Sequence, residues 1–285
     1  MRVVNISEVR GAGTHLHGMS GAPVERIDHR GRIVGSVFEN AYGRYCRLDD
    51  IRGDGSGSRT EQARETFENI EMLLGRVGMD FSHVVRTWLY LDDIVSWYED
   101  FNRVRTDFYA ERGVFDGVVP ASTGVGGGGT PGAAVTADAV AVEPKTQDMR
   151  ISSVESPLQC PATAYDSSFS RAVEIDAPDC RRLFVSGTAS IGPDGRSAHR
   201  GDVGEQIGLT MEVVRAILES RGMDWPDVTR AVAYLKHGRD LPALERFLRE
   251  HLPAIPVVAV ENDICRDELL FEIEADAVRI PAAHD

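Results

Sequence analysis

Apolar positions along this chain recur at two spacings, and the two spacings alternate in the same order twice. Ile207, Met211, Val214, Ile217 and Leu218 fall three and four apart, the buried stripe of an amphipathic helix. VVRTWLYL (84–91) and VTRAVAYL (228–235) are apolar or alternating, as strands are. Ahead of each helix lies a β-rich stretch, RIVGSVFE (32–39) and RLFVSGTASI (182–191), joined to it by the turn-forming GDGSGS and GPDGRSAHRGD. Gly78 and Gly222 stand where those helices should stop. Second helices are predicted over 97–112 and 241–252, and each unit closes on a β pair ending in TADAVAVEP or LLFEIEADAVRI. The predicted order is β-β-α-β-α-β-β. Two helices segregated from the strands imply an α+β unit, a mixed sheet with both helices on one face.

The two units are copies. Residues 60–93 realign without a gap on 204–237 at an offset of 144, with 12 of 34 positions identical. Gln62/Gln206, Gly-Met-Asp at 78–80 and 222–224, Arg86/Arg230 and Tyr90/Tyr234 are among the identities. A repeated supersecondary unit means a duplicated domain, and differences between copies mark where chemistry has concentrated. The joint falls in the polar EPKTQDM (143–149), so the expected domains are 1–147 and 148–285.

Composition narrows the function. The formal charge of −14 argues against nucleic acid as a partner, because phosphate binding needs a basic surface. It leaves room for an anionic small molecule held by a local arginine cluster. No apolar run approaches the roughly 18–20 residues that span a bilayer, and the first residues lack a signal-peptide core, so a cytoplasmic protein is expected. Cys46, Cys160, Cys180 and Cys265 lack metal-site or disulfide-framework spacing, and the histidines show no H-x-x-x-H, so neither metal nor cofactor is expected. His199 reads as a turn residue. The glycine run within 124–130 lacks the Lys-Ser/Thr of a phosphate loop and reads better as a flexible hairpin or lid.

The unit resembles the YjgF/Rid fold, which is chorismate-mutase-like. The second copy carries the pattern best, in Gln206, Gly222, Asp227-Val228, Tyr234-Leu235 and Glu272-Ile273-Glu274-Ala275. A closer resemblance is to the chorismatase branch of tandem Rid-like enzymes. It is carried in order by Arg86 to Ile94, Phe101-Asn102 with Arg105, Pro120 to Gly124, Gln159, Tyr165 to Ala172, Ser186 to Ser190, His199 to Val203, and Ile264 to Glu274. The N-terminal region is shorter than in that branch, and the glycine run and FNRVRTDFYAERG depart from its pattern. The resemblance implies a cofactor-free hydrolase or lyase of secondary metabolism, releasing pyruvate from chorismate or a related carboxylated enol ether. It also implies a homotrimer. An enamine or imine hydrolase, a tailoring cyclase or dehydratase, and a non-catalytic ligand-binding protein are the rival readings.

The same resemblance assigns residues. The branch's active-site acid is the first Glu of E-I-E, kept as Glu272, whereas the first copy reads Thr136-Ala137-Asp138 and is expected to be catalytically degenerate. A buried carboxylic acid that stays protonated could deliver a proton to a vinyl carbon; a solvated strand carboxylate is the plain alternative. Imine deaminases of the superfamily hold the substrate carboxylate through the Arg of P-A-R. Here the motif reads Pro120-Ala121-Ser122 and, aligned by sequence, Pro253-Ala254-Ile255, so the Arg is missing from both copies. Cations must come from elsewhere, and Arg86, Arg105, Arg171 and Arg266 are the candidates. Because both copies keep Arg86/Arg230, that pair fits a structural role as well as a binding one. Cys265 is a candidate product-steering residue or a plain core thiol. Gly187 and Ala189 would leave space for a ring, and Tyr90, Gln159 and Tyr165 are candidate polar contacts.

Overall fold

The computed structural model describes residues 23–127, 129–165 and 167–280. Its first half runs β1 (Glu25–His29), β2 (Arg32–Glu39), β3 (Gly43–Ile51), α1 (Arg59–Arg76), β4 (Val84–Leu91), α2 (Ile94–Glu111), β5 (Ala121–Gly126) and β6 (Val135–Pro144). The second runs β7 (Arg150–Val154), β8 (Ala172–Asp176), β9 (Arg181–Ala189), α3 (Val203–Ser220), β10 (Val228–Leu235), α4 (Leu241–His251), β11 (Val257–Glu261) and β12 (Phe271–Arg279). The sheet orders are β1-β2-β3-β6-β4-β5 and β7-β8-β9-β12-β10-β11, one topology used twice. The fold is α+β, two mixed six-stranded sheets as the repeat implied.

Two details correct the sequence reading. Three strands, not two, precede the first helix of each half. The counterpart of Arg181–Ala189 is Gly43–Ile51 and not Arg32–Glu39, because each stands next to the last strand of its own sheet. GRYCRLDDI hid as a strand because its alternate positions carry Arg and Asp. Helix α2 also begins at Ile94, ahead of the expected residue 97.

Local signals explain the helix limits. Ser58 and Glu61 form a capping box at the start of α1, and Asp202 caps α3. Gly78 and Gly222 follow the helix ends with φ of 73° and 66°, a conformation that costs glycine least. The repeated glutamine is a staple. Gln62 accepts from the Ala134 N–H ahead of β6, and Gln206 from the Leu270 N–H ahead of β12, at 3.0 and 2.7 Å. Each helix start is thereby tied to the entry of the strand that ends its unit.

Helices cover one face of each sheet, and Phe67, Ile70, Leu73, Phe101 and Phe108 fill the first helix-side core. The bare faces meet in a shared core that includes Trp88, Tyr90, Val125, Val142, Ile175 and Tyr234. On β12, Phe271, Ile273, Ala275 and Ala277 turn to the helices. Strand alternation therefore sends Glu272, Glu274 and Asp276 the other way, towards the first half.

Candidate functional site

Where the halves meet, an inner chamber is lined by residues of both. The first half contributes Tyr98 and Arg105 from α2 and Ser122 and Gly124 from β5. The second contributes Tyr165, Arg171, Gly187, Ala189, Cys265, Arg266 and Glu272. The edge of β5 is held there by bridges from Ala121 to Ser170 and from Val125 to Ile264, and by the Gly187 N–H donating to Thr123 Oγ1 at 3.0 Å. Sequence neighbours thus supply little of the chamber; pairing between the halves supplies it.

Glu272 is 4% exposed. Burial, then the like charge of Glu274, pushes its carboxyl up to about 8, against the opposing pull of Arg86. Its Oε1 lies 2.1 Å from where a Cβ on Gly187 would stand, so that glycine makes the room the carboxyl occupies. Burial pushes the Cys265 thiol up to about 12, which keeps it neutral. Burial likewise raises Tyr98 and Tyr165.

Three arginines, Arg105, Arg171 and Arg266, line the same chamber, and none makes an ion pair with a carboxylate among the described residues. Arg105 donates to Asn102 Oδ1 at 2.6 Å and reaches Ser122 Oγ at 3.5 Å, while its buried Nε has no acceptor. Arg171 donates to the Cys160 carbonyl at 2.7 and 3.1 Å and lies over the Phe169 and Tyr165 rings. Arg266 donates to the Gly195 carbonyl at 2.9 Å and also lies over Tyr165. Neutral acceptors and ring faces position these guanidiniums without cancelling their charge.

Three other expected contacts lie away from the chamber. Arg86 is fully buried between the sheets and bound at 2.7 Å to Glu274, which Arg230 also grips. Its retention by both copies reflects that cluster, in which Trp88 Nε1 also donates to Glu274 at 2.9 Å. Tyr90 belongs to the shared core with Tyr234. Gln159 donates to the Ala189 and Ile191 carbonyls at 3.0 and 2.9 Å and so anchors the end of β9, outside the residues that line the chamber.

Strand register tests the comparison between copies directly. Tyr90 pairs with Thr136 as Tyr234 pairs with Glu272, so Thr136 does occupy the place of Glu272. The P-A-R comparison needs a correction. Ser122 pairs with Thr87 and Val257 with Ala231, which makes Val257, not Ile255, the counterpart of Ser122. No arginine stands at either position. Arg105 instead brings its guanidinium from α2 to Ser122. Tyr98 is not singled out by the sequence, and Ser122 and Phe169 stand within its motifs but not as site residues; the adjacency of Tyr98 to the helical pattern of Phe101 and Arg105 is the signal that could have found it.

The chamber is tight, about 40 Å³, room for ~2 water molecules. Beyond Tyr98, Tyr165, Ser167, Cys265 and Arg266 it meets an open groove of about 820 Å³ along α2. The glycine run is not a lid over either space in its described part: Gly124 to Gly126 are strand, and the Gly126 and Gly127 N–H groups donate to Asp263 and Leu91 carbonyls.

The family model of endoribonuclease L-PSP matches residues 49–143 and again 161–279, once in each half and together well over half of the chain. The chain belongs to this family. Among family relatives, a chorismatase of Streptomyces rapamycinicus is 29% identical over 71% of this chain and 65% of its own length. A chorismatase of Streptomyces hygroscopicus is 27% identical over 86% and 77%, and a 3-hydroxybenzoate synthase of that species 28% identical over 77% and 70%. The chain thus spans just under two thirds of the first relative. The solved structure of a chorismatase superposes with a TM-score of 0.70 at 23% identity, covering 86% of this chain and 77% of that one. This L-PSP family member is chorismatase-like in fold and sequence. Among its described residues no helix is long and apolar enough to cross a membrane.

Proposed function

We propose that the chain hydrolyses chorismate or a closely related carboxylated enol ether, releasing pyruvate, with Glu272 as the proton donor. The observation that carries this is one buried carboxyl, held protonated near neutrality, in one chamber with three arginines that have no carboxylate partner. An enol ether needs a proton on its vinyl carbon, and a neutral carboxylic acid supplies it. Water adds to the resulting oxocarbenium carbon, and the hemiketal so formed collapses to pyruvate and the ring alcohol. A proton returned to Glu272 closes the cycle. Arg105, Arg171 and Arg266 would hold the substrate carboxylates, Arg105 replacing the missing strand arginine of imine deaminases. Gly187 and Ala189 would leave the space beside the acid, and neutral Cys265 would border the ring and bias the product. Tyr98 and Tyr165 part on entry, since a chamber of about 40 Å³ is too small for the substrate ring.

The names and coverage of the three Streptomyces relatives support the substrate class. The reading extends to two domains divided at 147/148, the first without a working acid, in a cytoplasmic homotrimer. Light scattering at three times the 31.2 kDa chain mass is the expected check of the last. The activity test is incubation with chorismate, following pyruvate and the ring product by mass spectrometry. The native chain should release pyruvate and Glu272→Gln should not. Equal release by both would remove Glu272 from the reaction, and none by either would remove chorismate.

A further inference from the structure

A second cavity, of about 330 Å³, lies between the two sheets at a place the Glu272 chamber does not reach. That volume falls within the usual range of small-molecule sites. Phe38 and Tyr45, stacked with centroids 5.1 Å apart, and Phe184 supply aromatic walls, with Val142 and Ile175 beside them. Five polar side chains, Arg47, Arg182, Thr229, Arg230 and Asp276, interrupt this apolar lining, and Arg182 and Asp276 share one face of β9 and β12. Arg182, half-buried at the mouth, lies over the Tyr45 ring at 5.3 Å, and its guanidinium makes no hydrogen bond or ion pair with any described residue. Asp276, 7% exposed, binds Arg230 through Oδ2, while its buried Oδ1 has no hydrogen-bond partner. A buried carboxyl oxygen left unmatched is costly, and a partner supplied by a ligand would relieve it.

The strands set the separation of these groups. Arg182 pairs with Val278 and Phe184 with Asp276, so Arg182 and Asp276 are diagonal neighbours on one face of β9 and β12. The backbones of such neighbours stand about 7–8 Å apart, and the longer arginine side chain carries its guanidinium further out, so one small aromatic acid placed between can meet both groups.

We propose that this cleft is a second binding site, for a small hydroxylated aromatic monocarboxylate. The ring lies among Phe38, Tyr45 and Phe184, the carboxylate meets Arg182, and the hydroxyl donates to Asp276 Oδ1. The site is independent of the Glu272 reading and holds whether or not that chamber is catalytic.

The test uses 4-hydroxybenzoate as the calorimetric probe on the full chain. Binding should survive Arg105→Ala, which alters the Glu272 chamber, and weaken about tenfold or more in Arg182→Gln. Benzoate, which lacks the hydroxyl, should bind more weakly than 4-hydroxybenzoate to the native chain. Circular dichroism of Arg182→Gln separates lost binding from lost fold. Should that variant fail to fold, crystals of the native chain soaked in 4-bromobenzoate decide, because anomalous scattering locates the bromine. Bromine between the sheets upholds the site. Binding that vanishes in Arg105→Ala yet persists in Arg182→Gln, or bromine found only beside Glu272 or nowhere, overturns it.

Discussion

Strands β6 and β12 hold the same place in the two sheets, pair with the same neighbours in the same register, and have been put to opposite uses. On β6 the position facing Tyr90 is Thr136, and its hydroxyl accepts from the Thr130 N–H at 3.0 Å, so the loop returning from β5 closes over it. Two residues on, Asp138 accepts from the Asp50 N–H at 2.8 Å. On β12 the counterpart of Thr136 is Glu272, which has an open chamber before it, and the counterpart of Asp138 is Glu274, which accepts from both Arg86 and Arg230. One copy commits these positions to its own backbone, a loop at Thr136 and strand β3 at Asp138, and the other turns them towards the opposite sheet. Duplication preserved the scaffold, and the two strands differ in what these equivalent positions touch.

The contrast is broken hardest at Glu272. Gln there removes the transferable proton while keeping shape, and pyruvate release should fall about 10²- to 10⁴-fold with unchanged circular dichroism. Next comes the glycine that makes its room. Gly187→Ala would displace a carboxyl whose Oε1 lies 2.1 Å from the new methyl, and a shift of ~1 Å in a reacting group costs about 10²-fold in kcat. Arg105→Ala should raise KM more than it lowers kcat, by about 10- to 100-fold, if it holds a carboxylate in ground and transition states alike. Steady-state kinetics on the two variants would separate those roles.

Glu274→Gln sharpens the comparison in a different quantity. It strips two arginines of their shared carboxylate and should cost about 3–5 kcal/mol of unfolding free energy, read from urea denaturation, because Arg86 is left buried without a counter-charge. The smallest effect is on pH. Glu272 acts as an acid only while protonated, so kcat/KM should decline as pH rises through about 8. Glu274 is one of the causes of that elevation, so the midpoint should move to lower pH in whatever Glu274→Gln enzyme folds. A midpoint that stays put would assign the elevation to burial alone.

The repeat and the ends of α1 and α3 were legible because they depend on local signals: apolar spacing and the glycines Gly78 and Gly222. What failed depended on contacts between elements distant along the chain. Arg86 is drawn inward by Glu274, 188 positions away, and no spacing reports that distance. Arg105 could be named but not given its neighbour Ser122, since a helix and an edge strand meet there only after folding. Gln159 looked like a polar contact because its backbone partners, the Ala189 and Ile191 carbonyls, carry no sequence signature.

The Glu274 cluster has a consequence for how this chain can change. Its carboxylate belongs to the second half, while Arg86 and Trp88 belong to the first, so the two copies are creditors of each other's interior. A gene for either half alone would encode a sheet with buried charge turned to water, and its carboxyl at 272 would revert to an ordinary surface acid. Separating the halves therefore carries a cost that a simple tandem of independent domains would not, because the acidity of the second is a property of the pair.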